Sequence, residues 1–151
     1  MVEVRPLRPS DIWAVVADLR DADMAEITAL VGEDGVFGAV VASAQTSTEA
    51  WTLVANDQPI AVFGVAPADM PAVGIPWMVG TPGVLRHRRA FMRLCKVYIP
   101  KMLALFPTLV NVVDARNLRA IAWLKHAGFA FGAPAPFGME GLPFYPFSMK
   151  A

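Results

Sequence analysis

The sequence predicts one α/β domain over residues 1–151, with a mixed central sheet flanked by helices. Two observations carry this. Apolar alternation and helical spacing follow one another in the order β-α-α-β-β-β-α-β-α-β, which a single sheet with helices packed on it accommodates. The clearest single unit is Thr108 to Phe129, where TLVNVVDA reads as a strand, NLRAIAWLKHA as a helix and Gly128 as its stop. Asn117 is a strong N-cap type, Ala120, Ile121 and Leu124 form an apolar stripe with Trp123 beside it, and Gly128 suits a left-handed C-terminal residue.

The remaining elements follow in order. Val2 to Leu7 predicts a first strand, and Ser10 caps a helix with Ile12, Val15, Val16 and Leu19 on one face. A break near Asp21 precedes a second amphipathic piece carrying Met24, Ile27 and Leu30, and a third helix falls within Gly35 to Ala44. Trp51 to Ala55 and Ile60 to Val65 read as strands joined by an Asn56-Asp57 turn, with Pro59 suggesting an edge. Gly74 to Val79 is the next strand, where Pro76 requires a bulge or an unpaired ladder position. A long helix spans about His87 to Phe106 with Pro100 kinking its polar face. The proline- and glycine-rich tail from Phe129 to Met149 predicts two irregular strands around Gly138 to Gly141.

Composition narrows the function classes. The hydrophobic share is 56% and mean hydropathy is +0.46. Yet the longest strongly apolar stretch, Val36 to Ala44, is too short to span a bilayer, and the N-terminus carries charge where a secretory signal needs apolar residues. The excess hydrophobicity therefore points to a buried core plus an apolar surface for association. The single cysteine, Cys95, excludes a disulfide framework. It shares a stripe with Phe91, Leu94, Tyr98, Ile99 and Met102, which makes it a buried structural thiol. Two histidines and one cysteine make no metal set, and no nucleophile elbow or P-loop is present. Net charge is zero, but residues 1–70 hold eleven acids against three bases, and residues 71–151 hold two against ten. The halves should attract each other, or each a partner of opposite sign.

The sharpest polar feature is Arg86, His87, Arg88, Arg89, Arg93 and Lys96, a basic run at a predicted helix start. Positive side chains there oppose the helix dipole, so an anionic partner or a solvated basic face accounts for them. Nucleic acid is disfavoured, since no aromatic residues interleave with the cluster.

Asn117, Ala120, Gly128 and Phe129 resemble the late helix of the acetyl-CoA-binding GNAT acyltransferase superfamily. The resemblance implies a GNAT-like domain in which Asn117 lies beside the thiol end of the cofactor. The tyrosine that often protonates the leaving thiolate in the family corresponds here to Leu124, which has no proton to give. The family's Arg/Gln-x-x-Gly-x-Gly/Ala phosphate loop corresponds to VGTPGVLRHRRAF, Val79 to Phe91, with His87, Arg89 and Phe91 where glycines often stand. No carboxylate occurs between Asp69 and Asp114, so Asp114 is the best remaining base, with a loop or cap carboxylate the plainer reading. Trp77 and Trp123 are core or edge packing, or close the pantetheine groove. His126 suits the end of its helix.

The whole chain also resembles the GNAT-like internal virion proteins of short-tailed bacteriophages. Its VRPLRPSD start, the Trp51 strand followed by QPIAVFGV, WMVGT, the basic helix through KVYIPKML and the Asn117 helix carry that likeness nearly end to end. This resemblance implies a structural or assembly protein on an eroded acetyltransferase fold, in host cytoplasm during assembly or in the virion, with no catalytic residues, no metal and no cofactor. Its partners would be phage virion or assembly proteins, or a second copy, met by the basic face (Arg86, Arg88, Arg89, Arg93) and an aromatic tail (Phe137, Phe144, Tyr145, Phe147). The alternatives are an active acetyl-CoA-dependent N-acetyltransferase and a CoA-binding module without turnover. In both, Met78, Val79, Arg86, His87, Arg88, Arg89 and Asn117 would hold acetyl-CoA.

Overall fold

A computed structural model describes residues 1–151. Its strands are β1 (Val2–Pro6), β2 (Glu49–Ala55), β3 (Gln58–Pro67), β4 (Val73–Gly80), β5 (Thr108–Asp114), β6 (Ala130–Phe131), β7 (Ala135–Phe137) and β8 (Leu142–Lys150). Its helices are α1 (Pro9–Val16), α2 (Asp21–Val31), α3 (Val36–Thr46), α4 (Gly83–Arg86), α5 (Arg88–Leu105) and α6 (Leu118–Ala127). One mixed sheet runs β1-β2-β3-β4-β5-β8-β6, with β7 paired to β8. Only β4 and β5 are parallel, joined by the α4–α5 crossover; every other pair is antiparallel.

Strand alternation sorts side chains to two faces. Val62 and Val79 meet Ile12, Val15, Ile27, Val36 and Val40, so α1, α2 and α3 cover one face. Trp51, Val65, Leu109, Val113 and Phe147 meet Met102 of α5, with Ala120, Ile121 and Leu124 of α6 packed against them on the other. Each face thus reproduces an apolar stripe read from the sequence. Asn56 and Asp57 both take positive φ (50° and 65°), as the tight β2–β3 turn requires.

Several expectations are corrected. The cap of α1 is Arg8 rather than Ser10, because Pro9 presets the first helical φ one residue earlier. Asp11 then accepts the Arg8 N–H at 2.9 Å. Pro59 does not mark an edge, since β3 lies between β2 and β4; a register shift at Leu53/Val54 accommodates the missing donor. Ile27 is buried as expected, but Met24 is exposed and α2 turns Asp23 inward instead. The second tail strand is not irregular. β8 pairs β5 over seven residues and carries Phe144 and Phe147 into the core at 1% and 7% exposure, leaving Phe137 as the exposed member of the aromatic tail. The two oppositely charged halves are not joined by an ion pair: Arg5–Asp11 and Arg20–Asp23 lie in the first half and Arg116–Asp114 in the second.

The Asn117 unit forms as the sequence predicts. Asn117 Oδ1 accepts the Ala120 N–H at 3.3 Å, and Gly128 ends α6 with φ of 104°. Replacing Asn117 by Ala should cost about 1 kcal/mol of stability through the lost cap, read as a lower urea midpoint with an unchanged m-value.

Candidate functional site

The site grows from a strand separation. β4 and β5 pair only at Val73↔Thr108 and Gly74↔Leu109, and then diverge. The Val73 carbonyl and Thr81 amide both bond on the β3 side, so alternation turns the backbone of Pro76, Met78 and Gly80 toward the gap. Pro76 has no N–H, and its carbonyl accepts Asn111 Nδ2 at 2.6 Å. This is where the sequence's demand for an unpaired ladder position at Pro76 is met. The Gly80 N–H donates to Asp23 Oδ2 at 2.8 Å, and its carbonyl accepts the Arg20 N–H at 2.9 Å. Met78 is the residue left with a backbone amide and carbonyl facing the gap.

One turn of α2 bridges the two strand ends. Asp23 takes the terminal amide of β4, and Glu26, three residues on, accepts the Asp114 N–H of β5 through Oε1 at 2.8 Å. The N-cap Asn117 of α6 donates to the same oxygen at 3.4 Å. Backbone amides at separating strand ends need acceptors, and two carboxylates supply them. At its other end α2 is held by the β7–β8 turn, whose Met139 and Glu140 amides donate to the Leu30 and Ala29 carbonyls.

The three carboxylates here differ in charge state. Burial raises Asp23, although the buried Arg20 guanidinium grips it at 2.8 Å and 3.1 Å. Burial opposes ionisation of Asp114 as well, but hydrogen bonds from the Arg116 side chain and amide outweigh it and hold the carboxyl below its ordinary range. Asp114 is therefore a salt-bridged carboxylate at the end of β5, which agrees with the plainer of its two sequence readings. Glu26 has no ion-pair partner. Burial, and then the nearby Asp23 and Asp114 charges, push it up to about 7 against the Asp114 N–H that favours its charged form. Its second oxygen, Oε2, has no protein donor.

A cavity of about 440 Å³ occupies the gap and reaches both faces of the sheet. Ile27, Val40 and Ser43 line it from α2 and α3; Phe91, Tyr98 and Trp123 line it from α5 and α6. Trp123 lies between Phe91, with ring centroids 4.8 Å apart, and the Arg20 guanidinium, 4.8 Å from its ring centroid. Trp77 also lines the cavity and donates Nε1 to Ser47 Oγ at 2.7 Å. Cys95 lines it with a thiol pushed up to about 11 by burial, which makes it a poor nucleophile.

The residues singled out from the sequence separate into two groups. Met78, Val79 and Asn117 line the cavity. Arg86, His87, Arg88 and Arg89 stand outside it at the α4–α5 junction, where the three arginines are exposed and free of ion pairs. No glycine between Val79 and Phe91 adopts positive φ, and the amides of Gly83, Val84, Leu85 and His87 are bonded within the loop. A glycine cradle is therefore lacking, and anion binding there would fall to arginine side chains and the unpartnered first amides of α5. The sequence reading missed Glu26, Asp23 and Arg20. The signal available was a pair of acids three apart on a short amphipathic helix, which periodicity treats as its solvent side.

A sheet split at a parallel pair, with a crossover helix on one face, three short N-terminal helices on the other and a cavity through the split, defines the GNAT acetyltransferase fold. No protein-family model matches the sequence. No curated protein matches it either. Solved structures do. A GNAT-family acetyltransferase from Streptococcus pneumoniae is 13% identical, with a TM-score of 0.68 over 100% of both chains. A probable GNAT-family acetyltransferase from Chromobacterium violaceum is 17% identical, with a TM-score of 0.71 over 99% of this chain and 87% of that one. A Bacillus subtilis acetyltransferase in complex with CoA is 10% identical, with a TM-score of 0.67 over 99% and 97%. At these identities the likeness establishes the fold. No single helix is long and apolar enough to cross a membrane.

Proposed function

We propose that this chain is an acyl-CoA-dependent N-acyltransferase in which Glu26 is the general base. The observation that carries this is the Glu26 carboxyl, pushed up to about 7, lining the cavity between β4 and β5. A base works best when its pKa lies near the operating pH. Glu26 also stands on the α2 side of the sheet, opposite the α5–α6 side where the basic loop lies.

The residues present fit acyl-CoA in part. The gap beside Met78 accepts an extended chain, the Met78 amide and carbonyl can pair with it, and Arg86, Arg88 and Arg89 are free to hold phosphates. Bound acyl-CoA supplies the acyl group as a thioester. Glu26 Oε1 is fixed by the Asp114 and Asn117 donors, which leaves Oε2 to take a proton from an amine held in the cavity. Leu124 gives no acid, so proximity and a water-borne proton complete the transfer.

The fit is tested by a thermal-shift titration with acetyl-CoA. At about a hundred times the dissociation constant it should add roughly 2.7 kcal/mol, a rise of about 5–10 °C. The triple change Arg86→Ala, Arg88→Ala, Arg89→Ala should abolish the shift while leaving the melting point of the free protein within about 2 °C. A flat titration in the unaltered protein would sink the proposal.

One observation favours a second reading. Pro76 and Gly80 have spent their gap-facing backbone groups inside the protein, and the phosphate loop lacks a glycine cradle. A non-catalytic bacteriophage assembly protein would tolerate both losses and use the exposed basic face for partners. That role rests on the resemblance read from the sequence. Its test is incorporation of the triple arginine variant into phage particles.

A further inference from the structure

The chemistry of the chamber on the α2–α3 side restricts the acceptor. Of the residues that line the cavity, 27 of 35 are hydrophobic, and the charged ones are Arg20, Asp23 and Glu26. Arg20 and Asp23 neutralise each other through a buried ion pair. Glu26 is left as the one uncompensated charge in an apolar space. On this side only the Ser43 hydroxyl has no protein partner; the other uncharged polar side chains are already engaged. Asn111 spends Nδ2 on the Pro76 carbonyl and Oδ1 on the Val112 amide. Asn117 spends Oδ1 on its helix cap and Nδ2 on Glu26. Thr46 returns its hydroxyl to the Ala42 carbonyl at 2.8 Å.

A polyamine needs a second free anion, and Asp23, the other carboxylate lining the cavity, is spent on Arg20. A peptide or amino sugar needs several free donors and acceptors; with the Met78 backbone given to acyl-CoA, this side offers the Ser43 hydroxyl alone, and burying the remaining polar groups unpaired costs more than the amine gains. A single ammonium on an apolar body has what the chamber offers: one carboxylate for the charge and aliphatic and aromatic walls for the rest.

We infer that the acceptor is a small primary monoamine with an aliphatic or aromatic body, bound through its ammonium to Glu26. This rests on the acyltransferase reading for its chemistry, though not for its binding. In the transfer, the ammonium gives one proton to Glu26, which passes it to solvent. The freed nitrogen attacks the thioester carbonyl, the C–N bond forms and the C–S bond breaks. The second nitrogen proton goes to the departing sulfur, leaving an amide and a free thiol.

Burial and the charges of Asp23 on α2 and Asp114 at the end of β5 disfavour the charged form of Glu26, the Asp114 N–H and Asn117 Nδ2 favour it, and Arg20 and Arg116 are committed to the two aspartates. With those ion pairs intact, amine binding should strengthen as pH rises from 5.5 to 8 and Glu26 ionises.

The experiment titrates 2-phenylethylamine, hexylamine, spermidine, glucosamine and trialanine against the full chain without acetyl-CoA, by calorimetry at both pH values. The two apolar monoamines should bind saturably at pH 8, at least about tenfold more tightly than the polar amines, and weaken about ten- to hundredfold in Glu26→Gln. A parallel assay follows thiol release with acetyl-CoA. If the apolar amines bind but no thiol appears, the acyltransferase reading fails and the amine site stands. If thiol release occurs with spermidine, glucosamine or trialanine in preference to the apolar amines, the acyltransferase reading stands and the acceptor class is wrong. Absence of apolar-amine binding at pH 8, or equal binding by Glu26→Gln, overturns the inference outright.

Discussion

Glu26→Gln should lower kcat/KM for acyl transfer by about 10²- to 10⁴-fold, the usual contribution of a positioned general base. The amide still accepts the Asp114 amide through its oxygen, so the α2–β5 bridge survives while the proton acceptor is lost. In the unaltered protein kcat/KM should rise through a pKa of about 7 as Glu26 ionises, and this limb should vanish in the variant. Stability moves the other way. The folded-state pKa is raised above the ordinary carboxylate value, so between those two values the folded protein holds a proton that the unfolded chain has released. Folding is therefore favoured below the unfolded pKa and loses stability as pH rises through about 7. Removing the carboxylate should make the variant more stable than the parent at pH 8 by on the order of 2–3 kcal/mol, and about equal at pH 4.5. Urea titrations at the two pH values read this directly. An unchanged kcat/KM would remove Glu26 from catalysis, and a pH-independent stability difference would show that its carboxyl is not perturbed.

Arg20→Ala should be the most damaging substitution outside the central core, at about 3–5 kcal/mol, or roughly 6–20 °C in melting temperature. Arg20 is 7% exposed and grips Asp23, which is 4% exposed. Truncating it leaves a buried carboxylate unpaired, and also removes the guanidinium stacked on Trp123. Burial already raises Asp23, so without its partner it should shift further up. The loss should therefore be greatest at alkaline pH and shrink as acid neutralises Asp23. Asp23 also holds the Gly80 amide, so amide exchange at Gly80 should accelerate in the variant. Loss of less than about 1 kcal/mol would mean that the pair contributes little beyond its own desolvation.

The Asn117 helix, its cap and its glycine stop were legible because they depend on neighbours within four residues. The unpaired backbone of Pro76 was legible for the same reason, since proline states locally that it has no donor. Pro59 and Ser10 misled, because a bulge in a facing strand and a proline at the first helical position changed what each residue had to do. The aromatic tail misled more. Phe144 and Phe147 look like surface anchors among prolines and glycines, and only the insertion of β8 between β5 and β6 puts them in the core.

The candidate base was not legible. Glu26 reads as a polar position on a short amphipathic helix, whereas Asp114, at the end of a strand, looks better placed. What separates them is partnership: Asp114 has Arg116 at 2.6 Å, and Glu26 has only amide donors.

The sequence by itself determined the element order and the two apolar faces, because each follows from residue type and short-range spacing. Tertiary structure decided the rest. Where β4 and β5 part, which carboxylates take their last amides, and which of those remains unpaired depend on contacts 57 and 88 residues apart in the chain. Burial and charge at that range set a proton affinity, and no local pattern encodes it.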